Sequence, residues 1–211
     1  MTRAGTLNDE MNYNPQNPVV VQADRSILLE TNNPRFEEAR DALAQFAELI
    51  KSPEHFHTYR ISPLSLWNAA SAGLGAEEII TSLIEFSKYE VPQNIIQDIK
   101  DYVSRYGRLK LLKPDEGEGL ILFSDDEALM VELANNKALV PFIETVRDKK
   151  TIIVKKDTRG RLKQALIKIG FPVEDLAGYV EGEHKDMSLV EVTKKNRPFR
   201  LREYQKDSIE V

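Results

Sequence analysis

The chain has 211 residues, of which 41% are hydrophobic and 30% are charged, a composition typical of a globular protein in water. It contains no cysteine, which excludes a disulfide framework and a thiolate zinc site, and no stretch has the length of a membrane span. The first residues lack the apolar segment of a secretion signal. The sequence therefore predicts a cytoplasmic protein without a membrane partner.

The net charge of −5 is unevenly distributed along the chain. Residues 1–146 carry a net charge of −10, and residues 169–211 carry −2. Residues 147–168, in contrast, hold nine basic and only two acidic side chains. Such a cluster is typical of nucleic-acid contact, although a solvated strand–helix surface accounts for it equally well.

The N-terminal part predicts a disordered tail over residues 1–17 and a β-hairpin-plus-helix unit over residues 18–61. Two short strands surround a turn, and a helix and a further strand follow. The helix has apolar residues at i, i+3/i+4 spacing, which predicts one buried stripe. The residues of this stripe are Phe36, Ala39, Leu43, Phe46 and Ile50.

The central part, residues 62–145, predicts a winged helix-turn-helix. The first of three helices has Ser62 as its N-cap and Pro63 at its first position, and the third ends at Gly107. Two apolar strands joined by the turn-rich segment "PDEGEG" come next, in the position of a wing. A further helix begins after Ser124, which we expect to cap it.

The C-terminal part predicts a small basic βαβ unit over residues 146–193. The strand "TIIVKK" leads to a helix that ends at Gly170, and one or two strands follow. Residues 194–211 read as a linker and the beginning of another helix. The predicted fold class is therefore α+β.

Catalytic and metal-binding patterns are weak in this sequence. His55 and His57 share one face of a predicted strand, but no third ligand stands at a recognised spacing, so we expect no metal site. Acidic side chains at 125–127 are interpreted as helix caps. No phosphate-binding loop and no nucleophile elbow occurs, which predicts no catalytic residue in this chain.

Two helices are candidates for DNA contact. The third helix of the winged-helix part would read bases or hold phosphates through Gln93, Asn94, Gln97 and Arg105, with Arg108 and Lys110 at the wing. Two aspartates on the same helix would repel the DNA backbone, so a protein-docking wing is an equal alternative.

The basic helix is the better candidate for DNA contact. Its leucines face inward, whereas its basic side chains surround the beginning of the helix, where the helix dipole also favours phosphate. These basic residues are Lys155, Lys156, Arg159, Arg161, Lys163 and Lys168. They would contribute affinity with little sequence specificity.

Five blocks of the sequence together resemble the N-terminal region of bacterial XPB-type DNA repair helicases, which belong to superfamily 2. The blocks are "VVVQADRSILLE", "HTYRISPLSLWNAASAGLGAEEII", "SKYEVPQNIIQDIKDYVSRYGRLKL", "RGRLKQALIKIGFPVEDLAGYVEGE" and "LREYQ". They occur in the family's order and run from about Val19 to the end of the chain.

The resemblance implies a DNA-binding module in front of a motor that opens duplex DNA in the 3′-to-5′ direction with ATP and Mg²⁺. It implies a damage-recognition-like role for the βαβ unit, and adenine binding by Gln205 with Arg202 in the full-length parent. The motor's phosphate loop, Asp-Glu box and second lobe lie outside this sequence, so ATPase activity belongs to the parent alone.

Partners follow from the same resemblance: DNA, the helicase motor domains in cis or in trans, and a partner nuclease. Two alternatives stay open. The chain would act as a protein-interaction module that docks on the motor or the nuclease, or as a stand-alone winged-helix regulator.

Overall fold

Over the residues that the structure describes, the chain forms a mixed α+β structure with two sheets and six α-helices. The computed structural model describes residues 13–114, 119–178, 192, 196–203 and 205. The chain divides into two compact units, one ending at Gly178 and the other beginning at Tyr179. None of the helices within the described ranges is long and apolar enough to cross a membrane.

The first sheet has four antiparallel strands in the order β1-β2-β4-β3. They are β1 (Val19–Val21), β2 (Ser26–Glu30), β3 (Glu48–Lys51) and β4 (Phe56–Arg60). Between β1 and β2 the chain reverses through Arg25, which adopts a φ of 72°, and the Asp24 carboxylate accepts a hydrogen bond from the Ser26 amide. This turn matches the two strands and turn predicted near the N-terminus.

The helix after this hairpin is shorter than predicted. Helix α1 (Phe36–Leu43) buries Ala39 and Leu43, and Phe46 behind it is also in the core. Ile50, predicted to continue the buried stripe, lies on β3 with 51% of its surface exposed. The prediction for Ile50 was wrong because residues 48–51 pair with β4 instead of extending the helix.

Three helices follow in the predicted order: α2 (Pro63–Ser71), α3 (Ala76–Phe86) and α4 (Gln93–Val103). The Ser62 hydroxyl accepts from the Ser65 amide at 3.0 Å, and the Ser65 hydroxyl accepts from the Ser62 amide at 3.0 Å. This reciprocal capping confirms the predicted start of α2. Buried isoleucines of α3 and α4 join the first sheet in one hydrophobic core.

The second sheet has five strands in the order β7-β8-β6-β5-β9, and β9 is parallel to β5. The strands are β5 (Leu109–Leu112), β6 (Leu120–Phe123), β7 (Ile143–Asp148), β8 (Thr151–Val154) and β9 (Val173–Asp175). Helices α5 (Glu127–Asn135) and α6 (Arg159–Lys168) contribute to its core. Asp126 caps α5 by accepting from the Leu129 amide, whereas Ser124, the predicted cap, accepts from the Asp126 amide.

The hairpin predicted as a wing does not project from the fold. Strands β5 and β6 pair with each other, but β6 also pairs with β8, and β5 also pairs with β9. Leu109 and Leu111 have no exposed surface. The prediction of a separate wing is not confirmed, because each of the two strands has a further neighbour in the sheet.

The predicted β-helix-β order holds for β8, α6 and β9, although these two strands are not neighbours. Strand β6 is antiparallel to both β5 and β8, so β8 and β9 run in the same direction with β6 and β5 between them. The sheet thus takes strands from both sides of residue 146. The domain boundaries given above remain a prediction.

The central position of β5 has a measurable consequence for stability. We expect Leu111→Ala to lower the free energy of unfolding by about 2–5 kcal/mol, because it opens a cavity in a packed core. Urea denaturation measures this change. Val131→Ala on α5 is the control, since Val131 is 56% exposed and its truncation should cost less than about 0.5 kcal/mol. Equal, small effects at both positions would mean that β5 is peripheral.

Candidate nucleic-acid interface

The beginning of α6 is open toward solvent. The buried Thr158 precedes the helix, but its hydroxyl donates to the Lys155 carbonyl at 2.7 Å and caps no amide of the first turn. Among the described residues, no atom lies within 4 Å of the position that a β-carbon would take at Gly160, in that turn. The N-terminal amides of a helix attract anions, so this turn can receive a phosphate oxygen.

Two of the six predicted basic residues are occupied by one carboxylate. Arg159 binds Asp175 through two hydrogen bonds of 2.9 and 2.7 Å, and the Lys163 ammonium lies 2.9 Å from the same carboxylate. Asp175 has only 12% of its side chain exposed. These contacts tie α6 to β9, and the single carboxylate compensates one of the two positive charges on the surface that was predicted to face DNA.

The titration of Asp175 reflects this pairing. Burial alone raises the pKa of the Asp175 carboxyl, but hydrogen bonds and charge attraction from Arg159 and Lys163 outweigh burial, so the net pKa lies below 3.8. Asp175 therefore stays ionised at neutral pH and holds both cations in place.

The other basic residues of this helix region remain on the surface. Lys155, Lys156, Arg161 and Lys168 are exposed, and the Lys155 ammonium donates to the Pro141 carbonyl at 3.0 Å. Lys155, Lys156 and Arg161 flank the open first turn, whereas Lys168 lies at the far end of α6. The exposed part of the predicted six-residue cluster consequently consists of these four residues.

The basic residues between 147 and 150 form a separate group. They lie at the beginning of β8, whereas Lys155 follows its end, and a four-residue strand spans about 13 Å. Lys149 and Lys150 lie 3.4 and 3.3 Å from Glu127 and Asp125. The basic cluster at 147–168 thus divides into two groups. One is the partly neutralised group at 147–150, and the other consists of the basic residues around α6.

The outward face of α4 contacts the β1–β2 turn. The Asn94 amide donates to the Ala23 carbonyl at 2.8 Å, and Arg25 lies 2.8 Å from Asp98. The Gln97 amide donates to Asp101 at 2.8 Å, while Gln93 is exposed at the beginning of the helix. Of the predicted base-reading residues on this helix, Asn94 and Gln97 already use their side chains within the protein.

Arg105 joins α4 to the end of α6. Its guanidinium lies 5.4 Å from the ring centre of Tyr102 and 5.8 Å from that of Phe171, and it donates to the Gly170 carbonyl at 3.3 Å. Contacts of this kind orient the guanidinium within the fold. Arg105 therefore acts as a packing residue in this structure.

The remaining predicted wing residues lie beside β6. Arg108 forms an ion pair with Asp126, and Lys110 is half-buried on β5. The Leu129 amide and the Arg108 guanidinium hold the pKa of Asp126 below its usual value. Arg108 thus supports the cap of α5, and the structure brings neither residue to the beginning of α6.

The second unit contains the predicted adenine-binding residues. The Arg202 amide donates to the Gln205 side-chain oxygen at 3.0 Å, and the Gln205 amide donates to the Arg202 carbonyl at 3.0 Å. The two residues thus form one turn, and Arg202 is exposed. Their role toward a nucleotide stays a prediction.

No cluster of three or more metal-ligating side chains occurs in the described part of the chain. His57 packs edge-on against Phe36 at 5.2 Å, and its Nδ1 atom is buried without a hydrogen-bond partner among the described residues. Neither contact supplies a third metal ligand to accompany His55 and His57.

An apolar groove was missed by the sequence analysis. It has a volume of about 320 Å³ and lies between α2 and α6, where Leu64 and Ile167 are 46% and 39% exposed beside the Trp67 ring. In the sequence, this groove is indicated only by Leu64 and Ile167, two apolar residues that lie outside the buried faces of their helices.

The Asp175 cluster supports a prediction about acid stability. We expect Asp175→Asn to lower the free energy of unfolding at neutral pH by about 1–3 kcal/mol, because Arg159 and Lys163 lose their counter-charge. A carboxyl whose pKa is lowered by folding stabilises the protein above its unfolded-state pKa and loses that contribution as the pH falls through the folded-state pKa. The difference between wild type and variant should therefore narrow in acid, below pH 3.8.

Urea denaturation across a pH series measures this effect. Asp157→Asn is the matched control, since Asp157 is exposed and adopts a left-handed φ of 58° that asparagine tolerates. A constant difference between wild type and Asp175→Asn at every pH would contradict the electrostatic account.

Comparison with known proteins identifies relatives of this chain. The family model described as helicase conserved C-terminal domain matches residues 19–169. The DNA 3′-5′ helicase XPB of Mycobacterium tuberculosis is 46% identical over 189 residues, covering 90% of this chain and 33% of the relative. The enzyme of the same name from Kineococcus radiotolerans is 44% identical over 193 residues, covering 92% and 34%.

A eukaryotic relative is more distant. The general transcription and DNA repair factor IIH helicase/translocase subunit XPB of Enterocytozoon bieneusi is 30% identical over 172 residues, covering 81% of this chain and 27% of that subunit. The chain spans about a third of the length of the bacterial relatives. It belongs to the helicase conserved C-terminal domain family and is related to the bacterial XPB DNA 3′-5′ helicases.

Proposed function

We propose that this chain is a non-catalytic, DNA-binding and regulatory module of an ATP-dependent 3′-5′ DNA helicase of the XPB type that acts in DNA repair. The observation that carries the proposal is the open, uncapped beginning of α6, flanked by exposed Lys155 and Arg161. The names of the bacterial relatives support the helicase context. The module would act in the cytoplasm, at the nucleoid.

The fold supports a non-catalytic role. Helicase motors bind ATP where a parallel strand leads through a glycine-rich loop into a helix. In this chain the described strands are antiparallel except for β9 on β5, and the β8–α6 connection reads "KKDT". We therefore assign ATP and Mg²⁺ to motor domains that act with this module, in cis or in trans, and adenine contact by Gln205 and Arg202 to that assembly alone.

The module's position in the longer protein is part of the proposal. The family description refers to a C-terminal helicase domain, whereas the segment "LREYQ" resembles the entrance of the first motor lobe. We propose that the module precedes the motor, and that the α6 region has the damage-recognition-like role implied by the resemblance.

The DNA contact proposed for α6 is electrostatic. A phosphate oxygen accepts hydrogen bonds from first-turn amides near Gly160, while Lys155 and Arg161 supply positive charge beside it. Lys156 lies beside the same turn, and Lys168 lies at the far end of α6. Contacts to phosphate position the protein without reading bases, so binding should tolerate many sequences and weaken strongly with salt.

Helix α4 has no base-reading role in this proposal. Asn94 and Asp98 bind the β1–β2 turn, and β5 and β6 lie inside a sheet, so the elements of a winged-helix reader are engaged elsewhere. A stand-alone winged-helix regulator is consequently the least supported of the alternatives.

A protein-interaction module is the second candidate. The groove between α2 and α6, with Leu64 and Ile167 exposed, is large enough for an apolar side chain of the motor or of a partner nuclease. This reading predicts that the separately expressed motor binds the chain without DNA, and that Leu64→Asp weakens the binding. The DNA-binding reading predicts DNA affinity in the chain alone.

Charge reversal at α6 tests the DNA-binding proposal. We expect Lys155→Glu combined with Arg161→Glu to lower affinity for short duplex DNA at least tenfold, because two phosphate contacts become repulsive. The slope of log affinity against log salt concentration should fall in magnitude by about two. Fluorescence anisotropy over a salt series measures both quantities.

A second double variant controls for net charge. Arg40→Glu combined with Arg60→Glu changes the charge by the same amount on α1 and β4. This control variant should alter the affinity for DNA only through long-range charge. The slope of log affinity against log salt concentration should stay nearly unchanged. Equal losses in both double variants, or no loss at α6, would refute the assignment of the DNA contact to α6.

A further inference from the structure

A cleft of about 660 Å³ lies beside the connection between α3 and α4. Its lining residues come from within the ranges 14–17, 84–91 and 93–96, and we call it the N-terminal cleft. Clefts that bind ligands usually have volumes of about 300–1,000 Å³, so this one is large enough for a ligand or part of a peptide. No lining residue belongs to α6 or to the second sheet, so the cleft is separate from the proposed DNA contact.

The walls of the N-terminal cleft are held together by a buried asparagine. Asn17 is 4% exposed, and its side-chain amide donates to the Glu85 and Ser87 carbonyls at 2.6 and 2.9 Å. The Asn14 backbone amide donates to the Lys88 carbonyl at 2.8 Å. The residues before β1 are thus tied to the end of α3. A preformed cleft of this kind loses little conformational entropy when a ligand binds.

The charged residues that line the N-terminal cleft are all acidic. None of the lining residues is basic, whereas Glu85 and Glu90 are acidic. Arg35 lies 2.8 Å from Glu85 and compensates its charge. Glu90 is exposed and forms no ion pair with a described residue. An uncompensated carboxylate attracts cations and repels phosphate, so the cleft favours a basic ligand over DNA.

Aromatic and apolar surface lies next to Glu90. Tyr89 lines the cleft, is 47% exposed and stacks on Tyr13 with the ring centres 5.2 Å apart. Ile84 also lines the cleft and is 54% exposed. A guanidinium is attracted to the face of a tyrosine ring, and the methylene groups of arginine pack on apolar surface. Arginine therefore suits this lining better than lysine, whose charge is compact and strongly hydrated.

Polar side chains around the cleft are suited to a peptide backbone. Asn14 and Gln93 are exposed, and their carboxamide groups both donate and accept hydrogen bonds. Ser87 is 5% exposed, and its hydroxyl has no hydrogen-bond partner among the described residues, although buried hydroxyls are usually bonded. A peptide group offers a donor and an acceptor, whereas a free cation offers donors alone. The lining thus favours an arginine that belongs to a peptide.

We propose that the N-terminal cleft binds an arginine side chain in an extended segment of a partner protein. The guanidinium pairs with Glu90 and lies against the Tyr89 ring. An aliphatic residue beside the arginine packs on Ile84, and the carboxamides of Asn14 and Gln93 bond the backbone of the segment. The proposal does not depend on DNA binding by α6, so either can fail without the other.

Titration of the ¹⁵N-labelled chain with the peptide acetyl-Leu-Arg-Leu-amide tests the site by nuclear magnetic resonance. The amide signals of Ile84, Tyr89, Glu90 and Gln93 should shift together and saturate. The matched control peptide replaces arginine by citrulline, which has nearly the same shape without the charge. It should bind about tenfold more weakly, because a hydrogen bond between two charged groups becomes one to a neutral group.

Two variants locate the charge that the peptide recognises. Glu90→Gln should weaken binding of the arginine peptide about tenfold and leave binding of the citrulline peptide unchanged. Glu132→Gln on α5 removes one exposed carboxylate outside the cleft and should leave both affinities unchanged. The amide spectrum of each free variant shows whether its fold is intact.

Three results would overturn the proposal. One is the absence of saturable shifts at the cleft up to about 5 mM peptide. Another is equal affinity for the arginine and citrulline peptides, or an equal loss in Glu90→Gln and Glu132→Gln. The third is binding only after residues 1–12 have been removed, which would mean that the chain's own N-terminal residues occupy the cleft.

Discussion

The pairing of β5 with β6 on one side and with β9 on the other is the interaction on which the C-terminal half of the main unit depends. It buries Leu109 and Leu111 completely and holds β9 at the edge of the sheet, beside β5. Asp175 at the end of β9 then meets Arg159 and Lys163 of α6. The orientation of α6, and with it the direction of its open first turn, follows from this arrangement.

The same carboxylate determines which basic residues are available to a ligand. Because Asp175 holds Arg159 and Lys163, the exposed basic side chains around α6 are Lys155, Lys156, Arg161 and Lys168. Charge that is compensated inside a fold adds stability and orientation, whereas uncompensated charge adds affinity for phosphate. The basic cluster of the sequence thus serves both stability and phosphate affinity, and composition alone does not show which residue serves which.

Local signals in the sequence were sufficient for much of the fold. Ser62 and Pro63 began α2, and the glycines at 73 and 107 adopt φ values of 93° and 80° after their helices. These features depend only on neighbouring residues, which explains why they could be predicted.

Features that depend on distant partners could not be predicted in this way. The residues "ELIK" continue a helical apolar pattern, and only pairing with β4 makes them a strand. The position of β5 and β6 inside a sheet requires β8 and β9, which come later in the chain. Likewise, the Asp175 carboxylate and the Ala23 carbonyl orient predicted site residues that lie 12 to 71 positions away. Of the predicted site, Arg161 and Lys168 are exposed residues of α6 itself, so their positions follow from the predicted helix.

Nuclear magnetic resonance of the ¹⁵N-labelled chain, titrated with a short DNA duplex, tests the central claim most directly. Binding at the beginning of α6 predicts that the amide signals of residues 155–161 shift most, that the shifts saturate together, and that added salt reverses them. The amides of Asn94 and Gln97 on α4 should move little, because both side chains are bound within the protein. Shifts confined to α4, with those of Gly160 and Arg161 unchanged, would contradict the account.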